Sequence, residues 1–496
     1  MSDDDFDSDD SSDFDYFFGY ESNESDSDDN FDTGEEKLEK LKSLREKVNW
    51  VVDEERREFL RQLQPIIKNW IDGLPDLRDI FRGEEIDWLL SESVKNENQN
   101  SSELVHFKGV PFVNFVIATG YKDEPDVDKD GNPILHRTTA VHIADKCTYP
   151  GVVRNVFEIY DRFDINYTDE FGLTHFHAAC KSGCIEVAEK FLELGQDPNL
   201  LVPETDDSPL HLALANGRNL VVQLLLRNGA DPNLTNAKGH TPLHLICKQE
   251  YLNDCSELFF EIIDEQHQTV QVNARDNLGR TPLEWAVANL LPNVIDVLLD
   301  HGADLSSFVF PSENHFNESP YENLSCKLDP ASGKLAVVEH LKKRGYELDR
   351  SDAMTVMKFF AKYELFEDTS LLEKFPNDDK YAKRSKKLLI RDQDPILSLY
   401  DLMRLQPEEA SKILTYTDYY DFATSDECYE RVDEASTLHL GEIMSRGFFQ
   451  RWALEPLLEL TARYQLPVLC CEIIIKKLKN KDLFNICLAA TGQNWN

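Results

Sequence analysis

Lysine and arginine are missing from the start of this chain. Met1 to Glu36 holds sixteen Asp or Glu and no basic side chain. Over all 496 residues the formal net charge is -40. A chain with that balance is repelled by nucleic-acid phosphates and by anionic membrane surfaces, so neither is an expected partner. Long apolar runs are missing as well. None reaches the roughly 18 residues a membrane-spanning helix needs, and the longest, Leu466 to Ile475, is cut by Glu472. The ten cysteines show no CxxC pair and no framework spacing, and the N-terminus lacks a basic-then-apolar leader. That pattern predicts free thiols in a reducing, cytoplasmic compartment. The phosphate-binding P-loop, GxGxxG, GxSxG and HExxH are absent, as are paired metal cysteines. Neither enzymatic activity nor a cofactor is expected.

What is present divides the chain into parts. The apolar share is 41%, enough for several cores in a chain of this length. Residues 1–34 are too acidic and too poor in aliphatics to offset their chain entropy, which predicts a disordered tail. A helical region with a linker is expected over 35–103. Phe59, Leu60, Leu63, Ile67, Trp70 and Ile71 fall on one helical face, and Pro65 predicts a kink or restart. "SESVKNENQNSSE", 91–103, reads as the linker by composition.

The middle repeats itself. "TAVHIA" starts at 139, "THFHAA" at 174, "SPLHLA" at 208, "TPLHLI" at 241 and "TPLEWA" at 281. "LGQDPNL" from Leu194, "NGADPNL" from Asn228 and "HGADLS" from His301 recur at the other end of the unit. A period near 33 residues with a T-P-L-H-x-A core resembles the ankyrin repeat. Thr or Ser would cap the first helix and Pro would open it. Gly195, Gly229 and Gly302 would end the second helix in the left-handed conformation. The repeats are expected over 104–311 as an all-α solenoid, followed by an irregular segment and a degenerate capping repeat over 312–394. His142, His177, His211 and His244 suggest a metal ladder, but helices stacked about 8–10 Å apart cannot bring their nitrogens within about 2.1 Å of one ion. In ankyrin repeats this histidine bonds backbone groups between units.

The resemblance to ankyrin proteins also implies where a partner would sit, on the turn tips and the inner face of the first helices. By position those places are Glu170, Phe171, Leu173 and Lys181, then Glu204 and Asp207, then Lys238, His240 and Lys248, then Asn277, Leu278 and Arg280. Phe171 and Leu278 are apolar at expected tips and read either as anchors or as packing under the neighbouring tip.

Residues 395–496 are helical by pattern and end in "LPVLCCEIIIKKLKNKDL". This resembles an F-box, a module that docks on the adaptor subunit of cullin-RING (SCF-type) ubiquitin ligases. Leu466 and Pro467 match the opening, Ile474 and Ile475 the second apolar pair, Leu478 the lone leucine, and Asp482 with Leu483 the close. Leu469 stands where the pattern has Glu, and Cys470 and Cys471 replace the first apolar pair. An F-box-like end after ankyrin repeats resembles the PRANC domain of poxviral ankyrin proteins and their insect relatives, including those of parasitoid wasps. At about 100° per residue Cys470, Cys471, Ile474, Ile475 and Leu478 form one stripe, expected either to dock or to pack on its own domain. The resemblance implies a protein-interaction adaptor. A client protein would lie on the ankyrin concave face and the ligase adaptor on the C-terminal domain. A stoichiometric inhibitor of, for example, a Rel-type transcription factor, or a scaffold, is the alternative. "KRSKK" at 383–387 reads as a solvated helix face or a nuclear-import patch.

Overall fold

The computed structural model describes residues 32–100, 110–147, 150–248, 253–316, 327–366, 379–462 and 466–492. The expected disordered tail lies outside these residues, apart from its last three.

Two compact units divide the chain: Met1–Leu89 with Pro111–Tyr121, and Leu90–Val110 with Lys122–Asn496. The first holds α1 (Gly34–Glu46), α2 (Asp53–Ile67), the start of α3 (Gly83–Asn100) and α4 (Pro111–Ala118). Thr33 caps α1 in a box with Glu36. Phe59, Leu60, Leu63, Ile67 and Trp70 form the buried stripe, but Ile71 is 63% exposed. Pro65 does not break α2, which runs two residues further and ends at Ile67. Two expectations fail here. Residues 91–100 are helix rather than linker, because Leu89, Leu90 and Val94 keep a helical apolar spacing and are buried. Residues 111–121, assigned by sequence to the repeat array, cluster with the N-terminal helices instead, through the buried Phe112, Val113, Phe115 and Val116.

The second unit begins with a stack of helix pairs. These are α5 (Ala140–Lys146) with α6 (Pro150–Phe157), α7 (His175–Ser182) with α8 (Ile185–Glu193), and α9 (Pro209–Ala215) with α10 (Asn219–Arg227). Then come α11 (Pro242–Ile246) with α12 (Asn253–Glu265) and α13 (Pro282–Ala288) with α14 (Pro292–Asp300). Each first helix packs on the next one along, as do the second helices from α8 to α14, while α6 packs on α5 and α7, so each pair's apolar face is buried by its neighbours. Gly195, Gly229 and Gly302 have φ of 85°, 86° and 89°, the left-handed helix ends expected.

The stack does not stop at a small cap. Helices α15 (Leu328–Lys343) and α16 (Arg350–Lys362) follow, then α17 (Asp379–Ser385) and a short antiparallel pair, β1 (Leu389–Arg391) with β2 (Leu397–Ser398). Next are α18 (Leu399–Leu402), α19 (Pro407–Ile413), α20 (Tyr416–Ala423), α21 (Asp426–Arg431), α22 (Glu434–Thr461), α23 (Val468–Lys477) and α24 (Asn480–Ala490). Asp349 caps α16, its carboxylate accepting from the Asp352 N–H at 2.9 Å. No break falls at 394/395. α15 packs on α14 on one side and on α20 and α22 on the other, and α16 packs on α22 and α24. Phe360 of α16 and Phe449 of α22 meet edge to face at 5.6 Å. Among the described residues no helix is long and apolar enough to cross a membrane.

Candidate functional site: the repeat tips and the C-terminal helix

The repeat core is held by one device used five times. Thr139, Thr174, Ser208, Thr241 and Thr281 begin the first helices, each in a capping box with the residue three places on. In four units that residue is histidine. Its Nδ1 accepts the cap's backbone N–H, at 3.1 to 3.2 Å. Its Nε2–H then reaches the following unit, donating from His142 to Leu173 O (3.1 Å), His177 to Leu200 O (2.8 Å), His211 to His240 O (3.0 Å) and His244 to Arg280 O (3.1 Å). This pattern requires neutral imidazole with the proton on Nε2. Burial favours the same form, pushing His142 down to about 4 and His177, His211 and His244 below their ordinary value. Both ring nitrogens of each are therefore engaged, and the rings are structural ties. In the fifth unit Glu284 takes the place of histidine, accepting from Thr281 N and from Val309 N.

The tips between units are tied by short polar side chains. Asp169, Asn236 and Asp276 each use Oδ1 to accept two backbone N–H groups of their own turn. Successive tips join through Ala237 N to Thr205 O (2.8 Å) and Asn277 N to Lys238 O (3.1 Å). The tips thus form one ledge beside the first helices.

The ledge exposes most of the side chains expected there. Glu170, Glu204, Lys238 and Asn277 face solvent. Phe171 is 44% and Leu278 75% exposed. The Lys146 ammonium lies 4.6 Å from the Phe171 ring. Lys181 pairs with Asp145 at 2.8 Å. Asp207 is half-buried and accepts from Asn236 Nδ2 at 2.9 Å. Leu173 is half-buried, its carbonyl taken by His142. His240 is the exception, only 4% exposed. It packs against Trp285 at 5.7 Å, and desolvation drops its pKa to about 4, so it is not a contact residue. Sequence reasoning missed Trp285 and Asp276. Trp285 follows Glu284 in "TPLEWA", where the other units carry Ile, Ala or Leu, and that switch to an aromatic was the available signal.

The C-terminal helix α23 splits the expected stripe. Cys471 (0%) and Ile475 (3%) are buried, as is Leu483 (0%) in α24. These three are core rather than docking residues, buried where α23 and α24 both pack on α22. Leu478 is half-buried and Pro467 precedes the helix as its N-cap. Asp482 caps α24 by accepting from Lys479 N at 3.2 Å. The exposed apolar face is different: Leu466 (36%), Leu469 (70%), Ile473 (58%) and Ile474 (37%). Behind it a buried network fixes the helix. Arg446 of α22 donates to Lys476 O and to Asn480 Oδ1, both at 3.1 Å. Asn480 in turn binds Glu442 and Ser445.

Comparison with known proteins bears on the stack. Residues 210–308 match a family of ankyrin repeats (3 copies), and residues 158–213 one of ankyrin repeats (many copies). A palmitoyltransferase of Kluyveromyces lactis is 27% identical over 43% of this chain and 28% of its own length. A putative ankyrin repeat protein of fowlpox virus is 28% identical over 34% of this chain and 48% of its own. The neurogenic locus notch homolog protein 1 of Mus musculus is 34% identical over 28% of this chain and 5% of its own. This chain thus spans less than half the length of each. With the helix pairs, their caps and the interlocked histidines, these matches make residues 158–308 a run of ankyrin repeats, a module for binding other proteins.

Proposed function

We propose that this chain is a non-enzymatic adaptor. Its ankyrin repeats hold a client protein on the tip ledge and the first helices, and its C-terminal domain docks on the adaptor subunit of a cullin-RING ubiquitin ligase. The observation that carries the ligase half is the exposed face of Leu469, Ile473 and Ile474 on α23, with Leu466 just before it, on a helix locked from behind by Arg446 and Asn480. Large apolar side chains on one rigid helix face are the mark of an interaction site. The order Leu466-Pro467, Ile474-Ile475, Leu478, Asp482-Leu483 resembles an F-box, which names the class of partner. Burying four such side chains is worth roughly 6–12 kcal/mol gross, against an association cost of about 4–15 kcal/mol, so the neighbouring helices must contribute or hold the face rigid.

Leu469→Asp with Ile473→Asp in the full chain tests this. Both residues are exposed, so the fold should survive, while capture of the ligase adaptor subunit should be lost. If the folded double variant still captures the subunit at wild-type strength, or the wild type captures none, the ligase reading fails and a stoichiometric binder remains.

A further inference from the structure

Among the described residues the ledge sets three cations, Lys238, Lys248 and Arg280, against one paired carboxylate, Asp276, in a chain of net charge -40. The Arg280 guanidinium carbon lies 3.9 Å from the Trp285 ring centroid, and the Lys248 ammonium 4.7 Å. Asp276 is the acid among them, and it is fully engaged. Its side chain is 1% exposed and ion-paired with Arg280. One oxygen accepts the backbone N–H groups of Leu278 and Arg280, and the other accepts from Arg280 Nη2 and Trp285 Nε1, both at 2.9 Å. Among the described residues neither Lys238 nor Lys248 has a carboxylate within ion-pair distance. Desolvation, and then the charges of Lys238 and Arg280, lower the pKa of Lys248, so these cations feel one another. Leu278 stands beside them, 75% exposed.

Like charges held together on a partly desolvated aromatic are relieved by an incoming anion. We propose that this patch takes an acidic segment of a partner polypeptide, its carboxylates on Lys238, Lys248 and Arg280 and an apolar side chain against Leu278 and Trp285. This rests on the reading that the repeats hold a client, and it names the chemistry of that client's docking segment.

The test uses the full chain and a short fluorescein-labelled peptide of Asp and Glu with one central Leu, followed by anisotropy at several salt concentrations. The wild type should bind, more weakly as salt rises. Lys238→Glu with Lys248→Glu should weaken binding at least about tenfold and flatten the salt dependence. Lys238→Glu alone, at an exposed position whose structural bonds are made by its backbone, should weaken it by a smaller factor with the fold unchanged by circular dichroism. Capture of the ligase adaptor subunit should be unchanged in both variants, so failure here is distinguishable from failure of the ligase reading. The proposal is overturned if the wild type ignores the acidic probe, if the variants bind it equally well, or if a lysine-rich peptide of the same length binds as tightly. It is also overturned if the probe binds only a chain lacking residues 1–31, since the chain's own acidic stretch would then be the occupant.

Discussion

Acid should loosen the repeat stack well before its carboxylates titrate. The perturbation is pH and the responsive groups are the buried histidines. His142 is pushed down to about 4 from an ordinary 6.5, mainly by burial. His175, His177, His211 and His244 are lowered for the same first cause. A folded-state pKa below the unfolded one means the unfolded chain binds protons that the folded chain refuses. Above about pH 6.5 both states are neutral and stability is complete. As pH falls through 6.5 toward 4 it is lost, and the loss from His142 ends where the folded ring itself protonates. At about 1.4 kcal/mol per unit, His142 alone is worth on the order of 3 kcal/mol by pH 4. That is a large fraction of the roughly 5–15 kcal/mol that holds a domain together.

The assay is urea unfolding followed by helix circular dichroism at steps from pH 7.5 to 4.5, with the slope against urea checked for constancy. Asp145 and Asp329 have carboxyls raised by burial, so they gain stability as pH falls and oppose the trend. The raw curve is therefore less informative than its comparison with His142→Gln, which removes one titration. The variant should start less stable at pH 7.5, because Gln replaces two hydrogen bonds imperfectly, and should lose less between pH 6.5 and 4.5. An identical pH slope in the two proteins, or a wild type flat down to pH 4.5, would refute the assignment of a neutral buried imidazole.

Two further predictions separate backbone from packing. Gly229 and Gly172 both have φ near +85°, but a Cβ at Gly229 meets nothing within 4 Å, whereas one at Gly172 would lie 2.3 Å from Pro203 Cδ. Gly229→Ala should cost about 1 kcal/mol and Gly172→Ala about 1–3 kcal/mol more; equal melting temperatures would show that the two tips do not touch. Arg446→Met should destabilise the chain by roughly 3–5 kcal/mol, because Glu442, 3.6 Å away and 9% exposed, is left buried without its partner; an unchanged urea midpoint would mean the network is solvated.

The ankyrin core was readable because each of its letters has one local physical task. Thr or Ser caps, Pro opens, His bridges to the next unit, and Gly turns left-handed. None of these depends on distant sequence. The failures share a cause. "SESVKNENQN" looks like a linker by composition, yet Leu89, Leu90 and Val94 keep helical spacing, and burial outweighed the polar residues between them. In α23 a helical wheel could not choose the inner side. Val468, Leu469, Cys470, Cys471, Ile473, Ile474 and Ile475 surround most of the helix with apolar groups, so either side could have been buried. The choice was made by α22, whose Arg446 reaches Lys476 O and whose Glu442 and Ser445 hold Asn480. Such contacts join residues thirty or more positions apart and leave no local periodicity.

The loss of a boundary at residue 394 has a mechanical consequence. His340 of α15 donates from Nδ1 to Asp296 of α14 at 2.6 Å, and its Nε2 meets the Thr417 hydroxyl of α20 at 3.0 Å. Arg344 grips the same repeat through Asp296 at 3.0 Å and Asp300 at 2.6 Å. Arg350 of α16 pairs with Glu459 of α22 through two hydrogen bonds, at 3.0 and 2.9 Å. The exposed ion pairs among these contribute little singly. The rigidity comes from the apolar seams they border, where Leu335, Ala336 and Leu341 of α15 are fully buried. α15 is at once the last layer of the stack and a wall of the C-terminal core. The tip ledge and the exposed face of α23 therefore belong to one continuous packed body rather than to two beads on a flexible string. In the proposed adaptor, a client on the ledge would be held at a fixed span from whatever docks on α23. Which of its side chains could be reached would then be set by that geometry rather than by the sweep of a linker.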